Sequence, residues 1–135
     1  MKVLFDTNII VDILTNRHPF CKNSIACYEK AIIHRDKVFV STVSVADVMY
    51  LTRKYFSDTK NQLETVYNFI NSMKIAKVTS KDLRFAFTRV MVDFEDAIQA
   101  YCAKRYSIKY IITRNKKDFK ISPVKAIEPS EFLAL

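Results

Sequence analysis

Five short apolar runs rich in β-type residues punctuate this chain, and between them the apolar positions recur at helical spacing. The runs fall at residues 2–5, 38–41, 75–78, 109–112 and, more weakly, 124–127. Helical patterns fill residues 7–14, 24–34, 43–55, 59–72, 80–90 and 94–106, and a closing helical turn at 129–133 has Pro129 at its start. Within 59–72 the stripe is Leu63, Val66, Tyr67, Phe69 and Ile70; within 94–106 it is Ala97, Ile98, Tyr101 and Cys102. Strands alternating with helices predict βαβ units, hence a mostly parallel sheet covered on both faces. The expectation is a three-layer α/β/α sandwich with four or five short strands. No linker, repeat or low-complexity segment interrupts the pattern, so residues 1–135 are read as a single domain.

Two of the runs end alike. The first stops at Asp6-Thr7-Asn8, and the fourth at Thr113-Arg114-Asn115, with Asp118 one turn later. Parallel strands place their carboxyl ends on one edge of the sheet, where ligands of open α/β folds bind, so these polar endings should meet. Asp6 suits either a helix cap or a ligand there. Asp47 has Val43, Ser44, Tyr50 and Leu51 one turn away, and on so apolar a face an unpaired carboxylate costs several kcal/mol. It needs a partner: a backbone donor, a Lys or Arg, or a metal ion shared with other carboxylates. In Asp93-Phe94-Glu95-Asp96, Asp93 fits the cap of the next helix and Asp96 its first turn, beside the buried stripe; Glu95 is expected to face solvent. Asn115 and Asp118 face the same way if the segment is helical, with Arg114, Lys116 and Lys117 interleaved as candidates for gripping phosphate. Thr113 and Asn115 could orient ligands or water. Asp12, on the first helix, is a secondary acid.

Composition narrows the chemistry. Lys plus Arg exceeds Asp plus Glu by 22 to 14, for a net charge of +8, which favours nucleic acid or an acidic protein as partner. The chain has no glycine, which removes the dinucleotide fingerprint, the P-loop and every other glycine-rich phosphate cradle. Two histidines and three cysteines without CxxC spacing support neither a zinc site nor a disulfide framework. Four scattered aspartates offer hard oxygen ligands, which suit Mg²⁺ or Mn²⁺. Such ions activate water and steady the leaving oxygen of an in-line displacement. No apolar run approaches the ~20 residues that span a bilayer, and the chain enters its first strand without a leader-like stretch. A soluble, cytoplasmic protein is expected.

Taken together, Leu4-Phe5-Asp6-Thr7-Asn8, Ser41-Thr42-Val43-Ser44-Val45-Ala46-Asp47, Asp93 to Ala100 and Ile111 to Phe119, in this order, resemble the PIN domain, the fold of VapC-type toxin ribonucleases. The resemblance implies metal-dependent cleavage of RNA phosphodiester bonds. It makes Asp6, Asp47, Asp96 and Asp118 the acidic quartet for Mg²⁺ or Mn²⁺, with Thr7, Asn8, Thr113 and Asn115 assisting. It also implies a homodimer restrained by a small antitoxin. Two positions depart from the family pattern: Asp47 stands where Glu is usual, and Asn115 where Asp is frequent. A haloacid-dehalogenase-type phosphatase needs an Asp at position 8, which is Asn8, and a receiver domain needs an adjacent acidic pair after its first strand. The remaining rival is a catalytically silent PIN-fold module that binds RNA or protein.

Overall fold

The computed structural model describes residues 1–135. β1 (Lys2–Phe5) runs through the centre of a five-stranded, all-parallel sheet. β2 (Lys37–Ser41) and β4 (Tyr110–Ile112) flank it, with β3 (Lys74–Ala76) outside β2 and β5 (Lys125–Ile127) outside β4. Val3, Leu4 and Phe5 are all fully buried, because successive side chains of a central strand enter opposite layers and both layers are covered. Val3 and Phe5 join a core with α1 (Thr7–Thr15), α2 (Cys21–Ile33), α3 (Thr42–Thr52), α4 (Thr59–Asn71) and α7 (Pro129–Leu133). Leu4, with Phe39 and Ile111, packs on the other face against α6 (Phe94–Arg105). α5 (Ser80–Thr88) lies against α6. The three-layer sandwich and its five strands are as the pattern predicts.

Register fixes where the polar endings fall. Phe5 aligns with Ile112, and the Asp6 amide donates to the Ile112 carbonyl at 3.0 Å, so Asp6 and Thr113 leave the sheet side by side.

The element boundaries differ from the pattern in instructive places. α2 starts three residues before position 24, because Cys21 N–H already bonds the Arg17 carbonyl at 2.8 Å. α3 stops at Thr52 and continues only as a 3-10 turn, Arg53–Tyr55. There the Gln62 amide of α4 donates to the Met49 carbonyl at 2.7 Å and to Thr52 Oγ1 at 3.0 Å, satisfying polar groups at the helix end. α5 ends at Thr88, where Arg89 turns extended. Without glycine, the left-handed backbone positions fall to Asn16, Arg35 and Ser107, at φ 53°, 56° and 57°. For Arg35 and Ser107 this costs about 1–2 kcal/mol each. All three cysteines are free and buried, and burial pushes the Cys27 and Cys102 thiols up to about 12, so both are inert core residues.

Candidate active site

Asp6 is both cap and pivot. It is 6% exposed, starts α1, and its carboxylate accepts from Thr7 N–H at 2.8 Å, Asn8 Nδ2 at 3.3 Å, Gln99 Nε2 at 2.9 Å and Thr113 Oγ1 at 2.7 Å. The same Gln99 accepts from Ser44 Oγ at 2.9 Å, and Ser44 Oγ accepts from Thr7 Oγ1 at 2.9 Å. Ser41, the last residue of β2, caps α3 by accepting from Ser44 N–H. One buried chain of hydrogen bonds therefore joins the ends of β1, β2 and β4 to the middle of α6. A satisfied network of this kind holds its members in one arrangement, because breaking any link strands buried donors.

Around Asp6 opens a cleft of about 460 Å³ lined by six carboxylates, Asp6, Asp47, Asp93, Glu95, Asp96 and Asp118. They come from four separate segments: the end of β1, α3, the start of α6 and the 3-10 turn Lys116–Phe119. Asp93 caps α6 by accepting from Asp96 N–H at 2.9 Å, which leaves the Asp96 side chain free of capping duty. Burial, then the charges of Asp6, Asp93 and Asp118, push the Asp96 carboxyl up to about 7. Glu95 does not face solvent as expected. It is half-buried and hydrogen-bonded to Asp47, because the first turn of α6 points at α3. That bond, burial and the charges of Asp47, Asp93 and Asp96 raise Glu95 to about 8. Asp47 itself is half-buried with Tyr50 and Leu51 beside it exposed, so it does not sit on the closed apolar face that the spacing suggests, and the group against it is the Glu95 carboxyl.

Those two groups tie stability to pH. Below their ordinary values, 3.8 for Asp96 and 4.5 for Glu95, both are protonated whether the chain is folded or not. From there up to about 7 and 8 the folded chain keeps protons that the unfolded chain releases, so stability falls as pH rises through that window. In chelator the unfolding temperature should therefore decline between about pH 5 and about pH 8, and less steeply in Asp96→Asn. Equal slopes in parent and variant would show that Asp96 does not feel its neighbours.

The donor set fits a hard divalent cation: carboxylates and the amide oxygens of Asn8 and Asn115 line the cleft, with no histidine or cysteine among them. Two carboxyls that hold protons near neutral pH mark negative charge that nothing in the chain neutralises. No three of these side chains are gathered into a finished ligand set.

The three basic candidates lie elsewhere. Arg114 forks onto Asp12 at 2.8 and 3.2 Å and lies over the Phe20 ring at 3.8 Å. Asp12, read as a secondary acid, is fully buried and held by Arg114 and by Ser24 Oγ at 3.3 Å. Lys116 pairs with Glu131 at 2.9 Å, and with Lys117 it lines an adjoining groove that shares only Arg114's neighbour Asn115 with the acidic cleft. The cations that do line the cleft are Arg17 and Lys54. These two, and the internal donors Ser44 and Gln99, drew no role from the sequence. Gln99 left one signal: a polar residue inside the buried stripe of α6, one turn from Asp96.

Known proteins resemble this chain in sequence or in fold. Ribonuclease VapC1 of Aquifex aeolicus (strain VF5) is 25% identical over 136 residues, covering 97% of this chain and 92% of that protein. VapBC2 from Rickettsia felis, solved bound to a DNA fragment from its promoter, superposes with a TM-score of 0.74 at 18% identity, covering 95% of this chain and 98% of the other. A toxin-antitoxin complex from Klebsiella pneumoniae gives 0.66 at 22% identity, covering 94% and 97%. At such identities the structural likeness is one of fold. Membership is carried by the sequence itself, in which residues 2–117 match the family model and take in Asp6, Asp47, Asp96 and Asn115 alike: this chain belongs to the PIN domain family.

Proposed function

We propose that this chain is a metal-dependent endoribonuclease, acting in the cytoplasm as the toxin of a toxin–antitoxin pair. The observation that carries the reading is the meeting of six carboxylates from four segments around an Asp6 held by four donors. The relative named a ribonuclease supports RNA as substrate, and the toxin-antitoxin complex among the similar folds supports a small antitoxin as partner. A homodimer is part of the same proposal.

Asp6, Asp47, Asp96 and Asp118 would hold Mg²⁺ or Mn²⁺, which when bound supplies positive charge to the phosphate and activates the attacking water. The chain's own groups do the rest. Gln99 and Thr113 fix the Asp6 carboxylate, so its oxygens need no reorganisation when substrate arrives. Asp96 and Glu95, which hold protons in the cleft as it stands, would release them when a cation binds, which would couple occupancy to pH. Asn115 lines the cleft as a neutral amide, and Asp118 supplies the charge on that side. The net charge of +8 draws the RNA backbone in without reading its sequence.

Single-stranded RNA incubated with the purified chain and Mn²⁺ should be cut, and both chelation and Asp96→Asn should stop the cutting. Equal activity in parent and variant would mean a contaminating nuclease and defeat the proposal. Salt-sensitive RNA binding without cleavage would favour the silent binding module.

A further inference from the structure

One wall of the acidic cleft carries no acid. It is built from the end of α3 and the 3-10 turn that follows, with Leu51, Lys54 and Tyr55, and from Arg17 beyond α1. Asp47, Leu51 and Tyr55 all line the cleft, the first two one turn apart on α3 and Tyr55 on the 3-10 turn that follows it. Tyr55 is the sole aromatic residue lining the cleft, and it is 49% exposed. Lys54 Nζ sits 5.4 Å from the centre of its ring. Neither Lys54 nor Arg17 is in an ion pair, although six carboxylates line the same cleft; the chain's four salt bridges all lie elsewhere. Arg53, between them in sequence, is turned away onto the Tyr50 ring at 3.8 Å.

An open aromatic face flanked by unpaired cations is the composition that holds a single-stranded nucleotide: the base stacks, and the cations take the phosphates. We propose that Tyr55 is the stacking platform for an unpaired base next to the phosphate presented to the carboxylates, with Lys54 and Arg17 holding the adjoining backbone. The proposal rests on the ribonuclease reading and adds to it the residues that hold the nucleotide beside the cut. A base inside a duplex keeps both faces covered and cannot lie on Tyr55. The β2–β1–β4 order places this wall and the turn bearing Asn115 and Asp118 on opposite sides of Asp6, so the strand crosses the cleft from one to the other.

The test uses short RNA carrying 2-aminopurine, mixed with the full chain bearing Asp6→Asn so that the RNA stays intact. Binding should quench the fluorophore in single-stranded but not in fully paired RNA. Adding Tyr55→Phe should keep the quenching, whereas Tyr55→Ala should abolish it and weaken binding by about 5- to 100-fold. Lys54→Ala and Arg17→Ala should each lower the salt slope of binding by about 0.7. Unfolding temperatures confirm that the variants fold, Tyr55 being half exposed. A parent chain that cleaves RNA while Tyr55→Ala binds and quenches like Tyr55 overturns the platform alone. So does a Tyr55→Ala that changes only the oligomeric state, which would assign the ring to a protein contact. A chain that neither cleaves nor binds RNA overturns the ribonuclease reading and the platform with it.

Discussion

Asp96→Asn is expected to cut RNA cleavage by about a hundredfold or more while raising the unfolding temperature of the chain in chelator. Even outer partners of a metal's ligands typically cost about 10- to 100-fold when removed, so loss of a ligand belongs at or beyond that upper end. The stability gain follows from the same geometry. Asp96 is half-buried beside Asp6, Asp93 and Asp118, and its side chain accepts no hydrogen bond that a carboxamide would forfeit. Asn removes one of several crowded negative charges and leaves the capping bond from Asp96 N–H to Asp93 intact. Asp6→Asn should lose as much activity but move stability the other way. Four donors converge on that carboxylate, and an amide NH₂ among them strands a buried donor at a cost of about 1–3 kcal/mol. Opposite signs in two thermal melts, with the same loss of cleavage, would separate a charge-strained functional carboxylate from one that also braces the fold. A loss of stability in Asp96→Asn would contradict the crowding.

Arg114→Ala is expected to lower stability by about 3 kcal/mol, the lower end of what stranding a buried charge costs. Asp12 is fully buried on α1, and Arg114, 21% exposed, supplies its two short bonds while stacking on Phe20. For a chain of this size that corresponds to roughly 10 °C in unfolding temperature. The double variant Asp12→Leu with Arg114→Met should recover most of the loss, since apolar replacement of a whole buried pair is often neutral. An Arg114→Ala chain with unchanged stability but weakened RNA binding would return Arg114 to the phosphate-gripping role that its neighbours in sequence suggest.

Those two sites mark the boundary of what the sequence makes legible. β1 is apparent from three apolar residues ahead of Asp6, and β4 from Tyr110 to Ile112, because a strand buried on both faces reads as an unbroken apolar run. Parallel topology alone brings the endings after β1 and β4 to one edge, whereas Asp47 and Asp96, inside helices, joined Asp6 and Asp118 only through the family resemblance. Contacts chosen by tertiary packing are another matter. Arg114 stands among Lys116, Lys117 and Asp118, and nothing local says that it will turn to an acid 102 residues away. Glu95 looks like an outward residue on α6 until α3 brings Asp47 against it. Gln99 reaches Asp6 across 93 residues of chain. The stop at Thr52, which swings Tyr55 to the cleft mouth, depends on Gln62 from the following helix. Periodicity reports which face is buried, and it is silent on which polar partner waits there.

The metal dependence of cleavage is read in a titration of the metal-free chain with Mn²⁺ at about pH 8, with bound ion and RNA cleavage rate measured in the same samples. Rate and occupancy should rise together, fall together on chelation and both be lost in Asp96→Asn. Cleavage that persists without bound Mn²⁺, or Mn²⁺ binding undiminished in Asp96→Asn, would contradict the proposal.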